Sequence, residues 1–445
     1  MDSLPPVLWM LVITIIAGRE SFLHDICFFL PRFAWWPRRA SRTKVRNPRR
    51  GIIPECHPQI FYSHFTLGLT LQLSKPVIKH LIHIVDALTT KGFSGTLTDI
   101  HHWSFHPNHR TTLSHFFTKS PWNEERLLGK LQEWILSQVE RLAKRKNQPL
   151  FVSIDDTICQ KTKPSSRAAH AIQGCDWHYS HKDHQLVWGH SLVWLMVHTF
   201  TQAFPFAFRL YDKKAGRSKI DLAMELLSSI KGKLTQPVYV LMDSWYPSKM
   251  LIEACLKKGF HVIAMLKTNR ILYPKGIAVQ AKQFARYIEP KDTRLVTVGQ
   301  ERYRVYRYEG AIHGLDDAVV LLAWKADQPM TPEHLHCVLS TDRELGDEDI
   351  LRYYAQRWTI ECFFRQAKDQ LKLDGYRVRH VRAVKRYWAV VLLASVYSIA
   401  ESRQNLSAGL ELLRSRKDHS VVEFIYDAAK QGIPIDVIKK QLRIA

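Results

Sequence analysis

The sequence predicts an α/β protein: a mixed sheet covered by helices, carrying a β insertion and preceded by an α-helical segment. Three observations predict it. From Pro149 onward, short apolar runs such as "LFVSIDD", "VYVLMD" and "FHVIAMLK" alternate with amphipathic runs of helical length. Residues 55–145 contain helical patterns and no strand-like run. Between about 270 and 330 three strand-like pieces, "RLVTVG", "YRVYRY" and "AVVLLAW", follow one another without the helices that separate the earlier strands.

Taken in order, residues 1–54 read as a basic extension. "LPPVLWMLVITIIAG" is too short for a confident membrane span, and Asp2 stands where a signal peptide would carry positive charge. Residues 38–50 then hold seven Lys or Arg and no acid. The segment is either a flexible basic arm on DNA or an upstream start of little structural meaning, and no membrane is expected as a partner. The charge of the whole chain agrees. With 64 basic against 41 acidic residues, the net charge is +23, which favours a polyanion, most often nucleic acid. A chain of 445 residues has room for two to three domains. Its seven scattered cysteines form no CxxC pair, the pattern of a reduced, cytoplasmic protein.

Residues 55–148 form the expected helical domain. "IKHLIHIVDALTTKG" has helical spacing and Gly92 in position for a C-cap. "TLTDIHHWS" and "HRTTLSHFFTKS" supply two short helices around a turn, as in a helix-turn-helix reader of DNA, with a plain bundle as the competing reading. Arg110 and Lys119 are its candidate DNA contacts.

Residues 149–400 form the expected core. "LFVSIDD" is a strand ending on acids, "HQLVWGHSLVWLMVH" reads as strands around a tight spot at Gly189, and "FPFAFRLY" as a further strand. "SKIDLAMELLSSI" is a helix with Ser218 as N-cap. "VYVLMD" is a buried strand, and "PSKMLIEACLKKG" a helix opened by Pro247 and closed by Gly259. Residues 401–445 are expected to be helical.

Chemistry enters with three acids. Asp155 and Asp243 each end a strand, where an open α/β sheet presents side chains to a crevice. The third lies in "YYAQRWTIECFFRQAKDQLKL". On one continuous helix, Tyr354, Arg357, Glu361 and Lys368 fall at roughly 0, 300, 340 and 320°, a single polar stripe about 21 Å long. A lone carboxylate in the middle of a cationic stripe suits a metal flanked by phosphates, with Arg as a fork, Lys as a point charge and Tyr as a hydroxyl or stacking face. Three carboxylates without Cys or His suit Mg²⁺, with Mn²⁺ as its substitute. Two such ions can activate a nucleophile and stabilise the leaving oxygen of a phosphodiester.

Y-x2-R-x3-E-x6-K, satisfied by Tyr354, Arg357, Glu361 and Lys368, joins "IDDT" and "LMDSWYPSKMLIEACLKKGFHVIAMLKTNR" in a pattern that resembles the DDE transposases of bacterial insertion sequences. The resemblance covers about 149–395. It implies a ribonuclease H-like core with a β insertion between Asp243 and Glu361, placed at about 270–330. It also implies two Mg²⁺ ions, with Asp155 bridging both, Asp243 holding one and Glu361 the other. Tyr354, Arg357 and Lys368 would then grip transposon-end phosphates. The family's D-x-T pattern favours Asp155 over Asp156 as the first ligand, and strand alternation alone leaves both open. The implied partners are double-stranded DNA, as terminal inverted repeats and target, and a second copy of the chain in a synaptic dimer. The implied location is the bacterial nucleoid.

Two weaker constellations remain. "CDWHYSHKDH" spaces Cys175, His178, His181 and His184 by threes, which invites zinc, although a polar loop beside DNA explains the histidines as well. "LKLDGYRVRHVRAVKRYW" interleaves Arg377, Arg379, Arg382, Lys385 and Arg386 with Tyr376, Tyr387 and Trp388, either as phosphate contacts or as an ordinary basic surface. "WAVVLLASVYSIAE" reads as a core helix. The expected function is transposition: binding of terminal repeats, metal-dependent 3′-end cleavage and joining to target DNA. The rivals are a nuclease on the same core that cuts without joining, and a catalytically silent, transposon-derived DNA binder.

Overall fold

The computed structural model describes residues 73–103, 109–163, 171–180, 183–232 and 234–442. The basic extension and His181 lie outside the described residues.

Among the described residues four helices come first: α1 (Lys75–Leu88), α2 (Leu97–Trp103), α3 (Arg110–Thr118) and α4 (Glu124–Lys146). Thr89, not Gly92, caps α1, and Gly92 takes its positive φ in the turn beyond. Asn123 accepts from the Glu125 and Arg126 N–H groups to start α4, Glu124 and Glu125 complement the helix dipole, and Asn147 ends it in the left-handed region. Leu127, Leu131, Ile135 and Val139 line the buried stripe of α4, which lies against the sheet.

The sheet has twelve strands: β1 (Leu150–Gln160), β2 (Asp176–Ser180), β3 (Gln185–His198), β4 (Ala203–Tyr211), β5 (Val238–Met242), β6 (His261–Leu266), β7 (Ile271–Leu272), β8 (Val279–Gln280), β9 (Arg294–Val298), β10 (Glu301–Ile312), β11 (Leu315–Lys325) and β12 (His336–Ser340). Its order is β2-β3-β1-β5-β6-β12-β11-β10-β7-β8, with β4 also on β3 and β9 also on β10. β3 is antiparallel to β1 and β4 to β3, whereas β5 is parallel to β1 and β6 to β5. The β insertion is therefore not a separate sheet: β12 pairs with β6 and extends the core sheet into β11 and β10. Nor is the run around Gly189 two strands. It is the single strand β3, and Gly189 lets its backbone pass β1 where an added Cβ would sit 2.3 Å from the Cys159 carbonyl oxygen.

Helix α5 (Lys219–Ser228) opens with a capping box between Ser218 and Asp221, and α6 (Lys249–Lys257) with Ser248 as its N-cap. The stripe-bearing segment splits into α7 (Asp347–Ala355) and α8 (Trp358–Gln370). Then follow α9 (Val381–Ser402), α10 (Leu406–Lys430) and α11 (Ile435–Leu442).

Strand parity decides what each face packs against. In β5 every residue is buried, the mark of a parallel strand covered on both sides. Tyr239 and Leu241 join Phe151, Ile263, Val319, Val338 and the α7 residues Ile350 and Tyr353 in one cluster. Val238, Val240 and Met242 join the larger cluster, which also takes in α1, α3, α4, α5, α6 and α9. The N-terminal helices thus share the apolar core of the sheet. Among the described residues α9 is the one helix long and apolar enough to cross a membrane, and 89% of its apolar window is buried inside the fold.

Arg386 ties these parts together. It is fully buried and donates to the carbonyls of Phe116, Phe117, Ser120 and Trp122 while pairing with Glu124 at 3.0 Å. Its neighbours Tyr376, Tyr387 and Trp388 are buried too. The phosphate-contact reading of these four residues is corrected: Arg386 ties α3 and α4 to α9, because a buried guanidinium is tolerated only where carbonyls and a carboxylate take up its donors, and the three rings are packed into the core.

Candidate active site

β1 does not stop at Asp155; it runs on to Gln160, and β5 ends earlier. The parallel register ends with Ile154 opposite Met242, so the next residues, Asp155 and Asp243, emerge side by side where β1 outruns its partner. Asp155 shares its parity with Phe151, and Asp243 with Tyr239 and Leu241, all on the face covered by α7. The α7–α8 segment carries the other polar groups. Asp156 has the opposite parity: it pairs with Lys219 of α5 and accepts a hydrogen bond from Tyr246 Oη at 3.1 Å.

The stripe is not on one continuous helix. At Gln356 and Arg357 the ladder tightens to i→i+3 bonds, Gln356 N–H to Tyr353 O at 3.0 Å and Arg357 N–H to Tyr354 O at 3.0 Å. In such a 3₁₀ turn side chains three apart eclipse, which places the Arg357 guanidinium 5.8 Å from the Tyr354 ring centroid. Beyond the turn the α spacing resumes, and Arg357 meets Glu361 at 2.6 Å. Arg357 also stands 3.6 Å from Asp155 Oδ2, bridging the strand acid and the helix acid. Lys368 donates to the Ile158 carbonyl at 2.8 Å.

Burial, then the charges of Asp243 and Asp156, push the Asp155 carboxyl up to about 7, against the pull of the Asp156 N–H and of Arg357. Burial also raises Asp243, partly offset by the N–H of Trp245 that it accepts at 3.0 Å. Two half-desolvated carboxylates side by side call for a cation, and the donor set is all oxygen, so these residues fit hard divalent ions. Arg357 supplies the positive charge here; among the described residues no three acids, histidines or cysteines stand close enough to ligate one ion.

Asp155, Asp243, Glu361 and Lys368 all line one open groove of about 1050 Å³. Arg110 and Lys119 lie elsewhere, exposed at the two ends of α3. Sequence reasoning missed Tyr211, Lys213, Lys219 and Trp245 on the groove's walls, where His178 of the zinc constellation also lies. The position of Trp245, two residues after Asp243, was the available signal. Of the zinc constellation, the Cys175 thiol lies 3.5 Å from His190 Nδ1, and burial pushes it up to about 11, so it is a protonated structural thiol.

Residues 146–397, more than half of the chain, match the family described as transposase DDE domain. The chain belongs to that family. As a DDE transposase it is an enzyme of DNA transposition, one that cleaves and joins nucleic acid. Among solved structures it is similar to the piggyBac transposase synaptic complex with hairpin DNA, determined by cryo-electron microscopy. That match has 9% sequence identity and a TM-score of 0.41, covering 85% of this chain and 80% of that chain. A search of curated proteins gave no match.

Proposed function

We propose that this transposase binds terminal inverted repeats, cuts their 3′ ends by hydrolysis and joins them to target DNA at the Asp155, Asp243 and Glu361 site. The observation that carries the proposal is the convergence on one groove of two strand acids in register and a helix acid linked to the first through Arg357. The strand order β4-β3-β1-β5-β6, with β3 alone among the five running against the others, supports a ribonuclease H-like core.

Asp155, Asp243 and Glu361 would together hold the divalent ions, Mg²⁺ with Mn²⁺ as its substitute. Bound there, divalent ions supply the Lewis acidity that activates a water or a 3′-hydroxyl and stabilises the leaving oxygen. The chain's own part is positioning. A DNA phosphate entering the groove competes with Asp155 and Glu361 for Arg357, whose fork suits either anion. Lys368 and the Tyr354 hydroxyl hold the strand on either side, and a second copy of the chain holds the other element end.

The test is cleavage of a terminal-repeat duplex in Mg²⁺. Asp155→Asn, Asp243→Asn and Glu361→Gln are each expected to abolish cutting and strand transfer while binding to the duplex persists. Near-normal cleavage by any of them removes that residue from the site. Pre-cut ends that fail to join to target DNA would leave a nuclease only.

A further inference from the structure

A second cavity lies on another flank of α8. Glu361 and Lys368 line the groove, whereas Trp358, Cys362 and Gln366 line a separate pocket of about 460 Å³. Cys362 follows Glu361 in the chain, about 100° further round the helix, so one helix walls both cavities. The β3–β4 turn and the α9–α10 turn complete the pocket, and its volume is that of a small-molecule site. Met196 and Phe363 give it a buried apolar side. Trp358, 53% exposed, adds an open indole. Gln202, Gln356 and Gln366 are half-buried on its walls, and among the described residues their amides have no hydrogen-bond partner. Among the described residues no acid lines the pocket. Its one charged group is Arg403, which ends α9 in the left-handed region.

An indole offers a stacking face to any flat heterocycle. An amide sets a donor beside an acceptor, the pair that the N6 and N7 atoms of adenine complement; a carboxylate would suit cytosine instead. A guanidinium without an acidic neighbour suits a phosphate. We infer that this pocket binds an adenine mononucleotide, with Trp358 stacked on the base, the glutamine amides on its edge and Arg403 on its phosphate. Gln356 belongs both to the pocket wall and to the tight turn that aims Arg357 at Asp155 and Glu361. A nucleotide seated there therefore bears on the acids, and the pocket is a control site for the groove. Binding in the pocket stands by itself; the control role rests on the reading of the groove as the DNA site.

Isothermal titration calorimetry on the full chain, in buffer free of divalent ions, tests the pocket with AMP, GMP, adenosine, ribose 5-phosphate and a short oligodeoxyadenylate. AMP is expected to bind at one site with a Kd below about 1 mM. GMP, adenosine and ribose 5-phosphate each lose one of the three contacts and are expected to bind about tenfold more weakly. Trp358→Ala should weaken AMP about tenfold. Arg403→Gln, at an exposed position, should bring AMP to the level of adenosine. No binding of AMP, equal binding of GMP or ribose 5-phosphate, or an affinity unmoved in both variants would each overturn the inference. Binding of the oligonucleotide without AMP would give the pocket to a DNA strand and overturn it too. Saturating AMP is then expected to shift the Kd of a fluorescein-labelled terminal-repeat duplex about fivefold in the wild type and not in Arg403→Gln. A duplex affinity indifferent to bound AMP would overturn the control role. A protein that binds AMP and no duplex would uphold the pocket while taking down the DNA reading of the groove.

Discussion

Asp155 and Asp156 are adjacent in the chain and face opposite sides of the sheet, and the pleat of β1 is what divides their duties. Asp155 looks toward Arg357 and α8; Asp156 is tied to Lys219 and Tyr246. The sequence alone left the choice between them open, because alternation says that they diverge but not which face holds the helix. Asp155→Asn is therefore expected to abolish end cleavage with little change in stability. Asp156→Asn should retain measurable cleavage and lower the denaturant midpoint, since it weakens a half-buried ion pair. Equal loss of cleavage in both, with stability unchanged, would mean that the first ligand has been misassigned. Buried histidines give a second prediction at this scale. The His198 Nδ1 faces the Thr199 carbonyl, so it carries the proton, and Nε2 accepts from Ser153 Oγ at 2.8 Å. Burial lowers both His198 and His190 to about 4. Because these folded-state values lie below the unfolded value near 6.5, each ring is neutral in both states above that pH and no stability is lost there. As pH falls from about 6.5 to 4, the unfolded chain takes up protons that the folded chain refuses. Stability should drop by roughly 1.4 kcal/mol per pH unit for each ring. Urea midpoints between pH 7.5 and 5 measure the slope, which His198→Gln should reduce by about one ring's share.

At the scale of elements, what was legible was whatever local pattern dictates. Apolar runs of strand length, the Ser218 cap and the Tyr-Arg-Glu-Lys spacing all marked real strands, helices and neighbours. What was not legible depended on partners far away in the chain. Nothing in "YYAQRWTIECFF" announces the tight turn at Gln356–Arg357, which lets Arg357 stack on Tyr354 and reach both Asp155 and Glu361. The strand "LFVSIDD" gives no sign that it will outrun β5, because its length is set by β3 on its other side. Arg386 is the sharpest case. In sequence it is one basic residue in a basic stretch, yet it fastens the end of α3 and the start of α4 to α9. Arg386→Leu removes the guanidinium donors from those carbonyls, of which Phe116 O keeps the Trp122 indole N–H, and breaks the pair with Glu124. It should destabilise the fold by about 3–5 kcal/mol, read as a lower denaturant midpoint. Arg386→Lys should recover only part of this, since an ammonium cannot span the same set of acceptors. A midpoint unchanged in Arg386→Leu would show that the helices are held by apolar packing alone.

For the whole molecule, the net charge of +23 predicted a polyanion, and membership of the transposase family agrees with DNA as that partner. Charge alone cannot say where the polyanion runs, because basic residues lie both on the groove and on α3. Salt dependence can. Each phosphate neutralised by a cation releases counterions and adds about 0.9 to the slope of log K against log salt. Lys368 lines the groove beside the acids, and its Nζ already reaches across to the β1 backbone, so it is held in place before DNA arrives. Lys368→Ala should therefore flatten the slope by about one unit and weaken binding to a terminal-repeat duplex. Arg110→Ala and Lys119→Ala, at the exposed ends of α3, should each do the same if α3 also lies along the DNA. The three variants together then trace the path: loss of slope at Lys368 alone confines the duplex to the groove, whereas loss at all three extends it over the N-terminal helices. An unchanged slope at Lys368, in a variant that melts at the wild-type temperature, would place the backbone outside the groove. That result would separate the three acids from the strand they are proposed to cut.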